Sequence, residues 1–173
     1  MLKARFWLVM MGGIAVGCGG CQSSAPDWPR VERSVPAPEF SLPALDGNPI
    51  RLSDYRGQVV IMEFWATWCG PCRYSMPSLE HIYRKFQGRG VAVLLINQGE
   101  SLEQIRTWLP QRITAPILLD RDQALGRRYA IPGLPTLVVV GQQGEILYVR
   151  SGYRGGLERD LTWILENLLK PSR

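Results

Sequence analysis

The chain has 173 residues, 46% of them hydrophobic and 20% charged, a balance suited to one globular domain with a tail and not to a disordered or fibrous protein. Six Trp, six Tyr and four Phe supply bulky core material, while 18 Gly and 13 Pro imply many turns. The formal charge of +5 is mild, and the basic residues are scattered apart from short pairs such as Arg84-Lys85 and Arg127-Arg128, which excludes a nucleic-acid footprint.

Lys3 and Arg5 precede the apolar run from Phe6 to Gly17, and small residues surround Cys18. This is the layout of a secretory signal. The run is short of the ~20 residues that a membrane-spanning helix needs, and its glycines weaken it as a span. Ala15-Val16-Gly17-Cys18 resembles a bacterial lipoprotein signal, which implies that Cys18 is exposed by cleavage and lipidated; Ala15 stands where such signals favour Leu. The alternatives are an uncleaved anchor or ordinary cleavage near Ser24 or Ala25. All three put the domain outside the cytoplasmic membrane, in the periplasm or cell envelope. Cys18-Gly19-Gly20-Cys21 also has CxxC spacing. It lacks the rigid helix start that depresses a thiol pKa, so Cys21 is read as a tail residue. Residues 1–24 are therefore expected to be the signal or anchor, the Pro-rich stretch 25–38 an extended tether, and 39–173 the folded domain.

Within that domain, Phe40-Ser41-Leu42 and Ile50-Arg51-Leu52 flank Asp46-Gly47-Asn48 and predict a β-hairpin. The nearly continuous apolar run Val59 to Trp65 predicts a central parallel strand covered on both faces. A helix is expected from about Cys69 to Gln87, kinked or restarted at Pro77 and ended by Gly88. A strand over 91–97 follows, then a helix opened by Ser101-Leu102-Glu103-Gln104, which has capping-box spacing. A short strand at 116–119, a short helix at 122–129, a hairpin of 136–140 with 145–149, and an amphipathic helix over 157–169 complete the chain. The predicted fold is α/β: a mixed central sheet with helices on both faces, three layers in all, and an added amino-terminal hairpin.

The chemistry is concentrated in Trp68-Cys69-Gly70-Pro71-Cys72. Two cysteines three apart can be bridged across the first turn of a helix, whose amides and dipole favour a thiolate on the first. Cys69 is then the attacking sulfur and Cys72 the more buried one that resolves the mixed disulfide. Pro71 suits an early helical position, where its missing amide costs little. A zinc half-site would need further ligands, and only His81 and the tail cysteines are on offer. No metal or cofactor is expected, and His81 is read as a surface residue. Arg73 is either a thiolate-favouring charge or a solvated helix residue. Trp65 is read as core, and Trp68 as a shield of the cysteine pair.

The stretch Phe64-Trp65-Ala66-Thr67-Trp68-Cys69-Gly70-Pro71-Cys72 resembles the active-site signature of the thioredoxin superfamily. With Leu52-Ser53-Asp54-Tyr55-Arg56-Gly57, Met76-Pro77 and Gly133-Leu134-Pro135-Thr136, the chain from about Glu39 to Gly152 is similar to the extracytoplasmic TlpA/ResA-like branch, a redoxin or AhpC/TSA-like domain. The resemblance implies a thioredoxin-like fold, a redox-active Cys69–Cys72 disulfide, and a cis Pro135 facing the pair. It also implies that Leu134 offers its backbone to an extended substrate, with Trp68, Gly70, Pro71, Leu134 and Pro135 as the docking surface. Glu63 stands where thioredoxins carry a buried acid that exchanges protons with the resolving cysteine, whereas many members of the branch have Asn there. Burial raises a carboxyl pKa, so Glu63 is an acid/base candidate for Cys72. The alternative is a strand-edge carboxylate paired with an Arg. Ser75 occupies a position where the branch often has an acid linked to partner recognition.

The function expected is reduction of disulfides in extracytoplasmic proteins, cytochrome c maturation being one setting that the resemblance implies. Its partners are those substrate proteins, the membrane through the amino-terminal anchor, and an upstream thiol/disulfide electron donor, itself membrane-bound. The competing readings are a peroxiredoxin-like peroxide reductase, for which Ala66 stands where Thr is expected, and an anchored binding module whose disulfide is structural.

Overall fold

Val59–Trp65 is a run of β-branched, aromatic and long apolar side chains with one acid in it, a composition that favours a pleated strand buried on both faces. In the computed structural model, which describes residues 25–109 and 112–170, this run is β4 and all seven residues are buried. Successive side chains point to opposite faces: Ile61 and Trp65 enter one apolar cluster, Met62 and Phe64 the other. Around it are β1 (Arg30–Pro36), β2 (Ser41–Pro43), β3 (Pro49–Arg51), β5 (Val91–Gln98), β6 (Ile117–Asp120), β7 (Thr136–Val140) and β8 (Glu145–Ser151). The helices are α1 (Cys72–Phe86), α2 (Leu102–Trp108), α3 (Ala124–Arg128) and α4 (Leu157–Leu168).

Six strands form one sheet in the order β1-β8-β7-β4-β5-β6, with β4, β5 and β6 parallel and the remaining pairs antiparallel. One face is covered by α1 and α4, joined by Ile105 of α2; the other carries Leu125 of α3, Phe40 and Leu52. The β2-β3 pair is the expected hairpin, a separate two-stranded ribbon joined to the main sheet by a bridge from Ala44 to Leu118. This is the predicted mixed sheet with helices on both faces.

α1 buries Met76, Leu79, Ile82 and Phe86, spaced three or four apart so that one stripe meets the core; each such side chain contributes roughly 1.5–3 kcal/mol. The helix differs from the expectation in two ways. It starts at Cys72, with Pro71 as its N-cap, so Cys69 lies just before the helix and not within it. It also runs unbroken through Pro77, because proline this close to a helix start removes a single internal bond, here to the Arg73 carbonyl.

The tether expected over 25–38 is corrected more substantially. Arg30–Pro36 is an edge strand paired with β8, and Trp28 is buried. The Trp28 indole Nε1 donates to Asp160 Oδ2 at 3.3 Å, and the Arg150 guanidinium lies 4.9 Å from its ring centroid. A buried indole with its N–H satisfied is strong anchorage. The folded part therefore begins at Trp28 and not near Glu39. Residues 1–24, expected to be the signal or anchor and including Cys18 and Cys21, lie outside the described residues. Among the described residues no helix is long and apolar enough to cross a membrane.

Candidate active site

β4 ends at Trp65, and the chain turns through Ala66–Gly70 into the start of α1. Cys69 and Cys72 are joined as a disulfide, with their Cα atoms 5.4 Å apart. Cys72 is wholly buried and Cys69 is 3% exposed, which makes Cys69 the outer sulfur. The Cys72 backbone N–H donates to Cys69 Sγ at 3.3 Å. That donor, at the positive end of α1, is placed to stabilise a Cys69 thiolate when the pair is reduced.

Glu63 sits in mid-β4 with no exposed surface, pointing to the α1 side by the alternation of the strand. No Arg pairs with it among the described residues, which removes the strand-edge ion-pair alternative. Ser75 Oγ lies within hydrogen-bond reach of both Glu63 Oε1 and the Cys72 carbonyl, the latter at 3.0 Å, and its single proton serves one of these acceptors at a time, while Glu63 Oε2 has no partner among the described residues. Burial pushes the Glu63 carboxyl up to about 8, against the lowering effect of the Ser75 hydrogen bond. Ser75 thus links the acid of β4 to the backbone of the resolving cysteine. Ser75 itself is buried.

Leu134–Pro135 is a cis peptide. Antiparallel pairing sets Thr136 of β7 opposite Phe64 of β4, so Pro135 lies at the end of β4 that leads into the cysteine loop. The segment is fixed by Gly152 N–H donating to the Pro135 carbonyl at 2.8 Å and by Thr136 Oγ1 donating to the Gly133 carbonyl at 2.7 Å. Leu134 packs against the cluster that contains both cysteines. It also lines, with Trp68, Ile131 and Pro132, a cleft of about 240 Å³. Trp68 is 71% exposed, Gly70 and Pro71 are exposed beside it, and Tyr74, 68% exposed, stacks on Tyr153 at 5.8 Å between ring centroids. Trp65 is core, 5.2 Å from Trp108. Arg73 does not turn toward sulfur: its guanidinium lies 5.7 Å from the Trp108 ring centroid. His81 is a surface residue, its Nε2 3.2 Å from Glu158 Oε1.

The sequence reading missed Glu100. This buried carboxylate accepts from the Thr67 backbone N–H at 2.7 Å, from the Thr67 hydroxyl, and from Asn97 Nδ2 at 2.7 Å. It holds the turn that presents Trp68 and Cys69. The available signal was the polar run Asn97-Gln98-Gly99-Glu100 at the carboxyl end of a parallel strand, where α/β sheets place their sites.

A thioredoxin-like fold carrying a cysteine pair at a helix start, backed by a buried carboxyl, defines the class: a thiol-disulfide oxidoreductase. The chain belongs to the AhpC/TSA family, whose model matches residues 34–149. It is 35% identical over 117 residues to the thiol-disulfide oxidoreductase ResA of Geobacillus thermodenitrificans, covering 67% of each chain. A candidate thiol:disulfide interchange protein DsbE from Chlorobium tepidum superposes with a TM-score of 0.74 at 29% identity, covering 81% of this chain and 99% of that one. The exposed lipoprotein thioredoxin of Streptococcus pneumoniae gives 0.67 at 26% identity, covering 76% and 100%.

Proposed function

We propose that the protein reduces disulfides in proteins outside the cytoplasmic membrane, to which its amino-terminal segment holds it through a lipid on Cys18. The observation that carries the chemistry is the Cys72 amide aimed at Cys69 Sγ, with Glu63 buried behind the pair. The Cys69 thiolate attacks one sulfur of a substrate disulfide, forming the mixed disulfide; the other substrate sulfur leaves as a thiolate and is protonated. Cys72 gives its proton to Glu63, and the new thiolate attacks Cys69 Sγ, releasing the second substrate thiolate. Two electrons pass to the substrate and the Cys69–Cys72 disulfide is left. An upstream thiol donor at the membrane restores the dithiol.

Leu134 and cis Pro135 pair with the extended substrate segment, and Trp68, Gly70 and Pro71 border it. Support for this direction of transfer comes from the Gly-Pro dipeptide between the cysteines, and for the location from the charged-then-apolar amino terminus. The pneumococcal relative's description as an exposed lipoprotein agrees with that location. Maturation of c-type cytochromes is one process that such reduction serves.

A Cys72→Ser chain tests the assignment: incubated with envelope extract, it accumulates mixed disulfides through Cys69 that a reductant releases. Recovery of none while the wild type turns over would overturn the assigned roles. A reduction potential near the −120 mV of strong oxidants would reverse the direction.

A further inference from the structure

The geometry points to a second recognition element beside the cysteine pair: a basic, apolar-floored groove along the outer face of α1 that receives an acidic segment of the substrate polypeptide. The groove, about 780 Å³, lies between α1 and the segment running from α2 to β6. Its α1 wall is the stripe Arg73, Met76, Pro77, Glu80, His81 and Arg84, spaced three or four apart so that they share one helix face. Trp108, Arg112 and Ile113 form the opposite wall.

Its charge is one-sided. Glu80 is the single acid of the lining, and its carboxylate is taken up by the backbone N–H groups of Thr114 and Ala115, the Thr114 hydroxyl and Arg84 Nε. Arg73 and Arg112 have no carboxylate partner among the described residues, and both are exposed. A polypeptide filling the groove therefore needs carboxylates for the two guanidinium groups and apolar side chains for Pro77, Trp108 and Ile113.

The stripe begins at the residue next to Cys72 and extends to Arg84. At 1.5 Å per residue this is about 16 Å, the span of about five residues of extended chain. A segment lying there starts beside the end of α1 at which Cys72 and the disulfide lie. An anionic lipid surface, the other source of negative charge outside the cell membrane, is flat and would not use a concave apolar floor. The inference rests on the reductase reading only in naming the occupant as substrate.

The test uses the full-length oxidised chain in neutral detergent and two dye-labelled, cysteine-free peptides, one alternating Glu and Leu and its twin alternating Lys and Leu. Fluorescence anisotropy should show the acidic peptide binding at least about tenfold more tightly at low salt, with the difference collapsing near 0.5 M salt, where screening lengths shrink to a few ångströms. Arg112→Glu combined with Arg73→Glu should abolish the preference. Equal binding of the twins, or a preference that survives the double substitution, overturns the proposal. So does binding of a short-chain phosphatidylglycerol that depends on both arginines while the acidic peptide does not bind. In parallel, the reduced protein is given disulfide peptides carrying the same Glu or Lys flanks. Failure to reduce either would overturn the reductase reading while the binding comparison still decides the groove; equal rates with equal binding would overturn the groove alone.

Discussion

Two buried glutamates, Glu63 on β4 and Glu80 on α1, behave in opposite ways. Glu63, behind Cys72, has among the described residues a single hydroxyl donor and one oxygen without a partner, and burial drives its carboxyl up to about 8. Glu80, further along α1, also suffers burial, but Thr114, Ala115 and Arg84 outweigh it and hold the carboxyl below its ordinary value. Burial alone does not make a carboxylate reactive; the number of donors aimed at it decides whether it moves protons or pins a loop.

The contrast breaks most visibly in stability against pH. The folded-state value of Glu63 lies above its unfolded one, so the folded protein favours the protonated form, and stability is lost as pH rises through about 8. Chemical denaturation of the oxidised protein should show Glu63→Gln gaining on the wild type between about pH 5 and pH 9, by on the order of 5 kcal/mol. A constant difference across that window would mean that Glu63 is solvated. In turnover, Glu63→Gln should slow disulfide reduction at pH 7 by roughly a hundredfold, the ordinary scale of lost general acid–base catalysis, with mixed disulfide accumulating on Cys69; steady-state rates and acid-quenched gels read both.

Glu80→Gln should instead cost about 2 kcal/mol at neutral pH, the scale of weakened hydrogen bonds to a buried charged acceptor. The sign is reversed: a lowered carboxyl contributes stability above about pH 4.5 that disappears as pH falls through the folded-state value. The gap between wild type and variant should narrow as pH falls below about 4.5, and a gap that stays constant through the acid limb would contradict the assignment. The smallest effect belongs to Ser75→Ala. Losing the hydroxyl removes the one interaction that lowers Glu63, so the rising limb of the rate profile should move to higher pH, with a loss of about threefold at pH 7. An unchanged midpoint would make Ser75 mere packing.

Much of this was legible in the chain itself. The central strand, the helix that follows the cysteine loop, both hairpins and the terminal helix follow from local periodicity and turn residues, which need no tertiary information. The CxxC pair and Glu63 were legible because each breaks its surroundings: two cysteines at one-turn spacing, one acid in an apolar strand. What escaped depends on distant partners. Arg30–Pro36 carries three charged residues and a terminal proline, and it becomes a strand only because β8 offers an edge and Asp160 waits for the Trp28 indole. Glu100 reads as a loop acid until the Thr67 turn folds over it, and Ser75 gains meaning only when α1 settles on β4.

The way β1 joins the sheet also fixes where the described chain begins relative to the cysteine pair. Arg30 is opposite Tyr148, and β8 runs on to Ser151, beside the segment that holds Pro135. Upstream, Ala25 and Pro26 share a cleft with Arg154 and Gly155, next to the Tyr153 that stacks on Tyr74. Ala25 thus lies toward the same pole of the protein as the Cys69–Cys72 disulfide, so the start of the described chain and the sulfur pair are neighbours, not opposites.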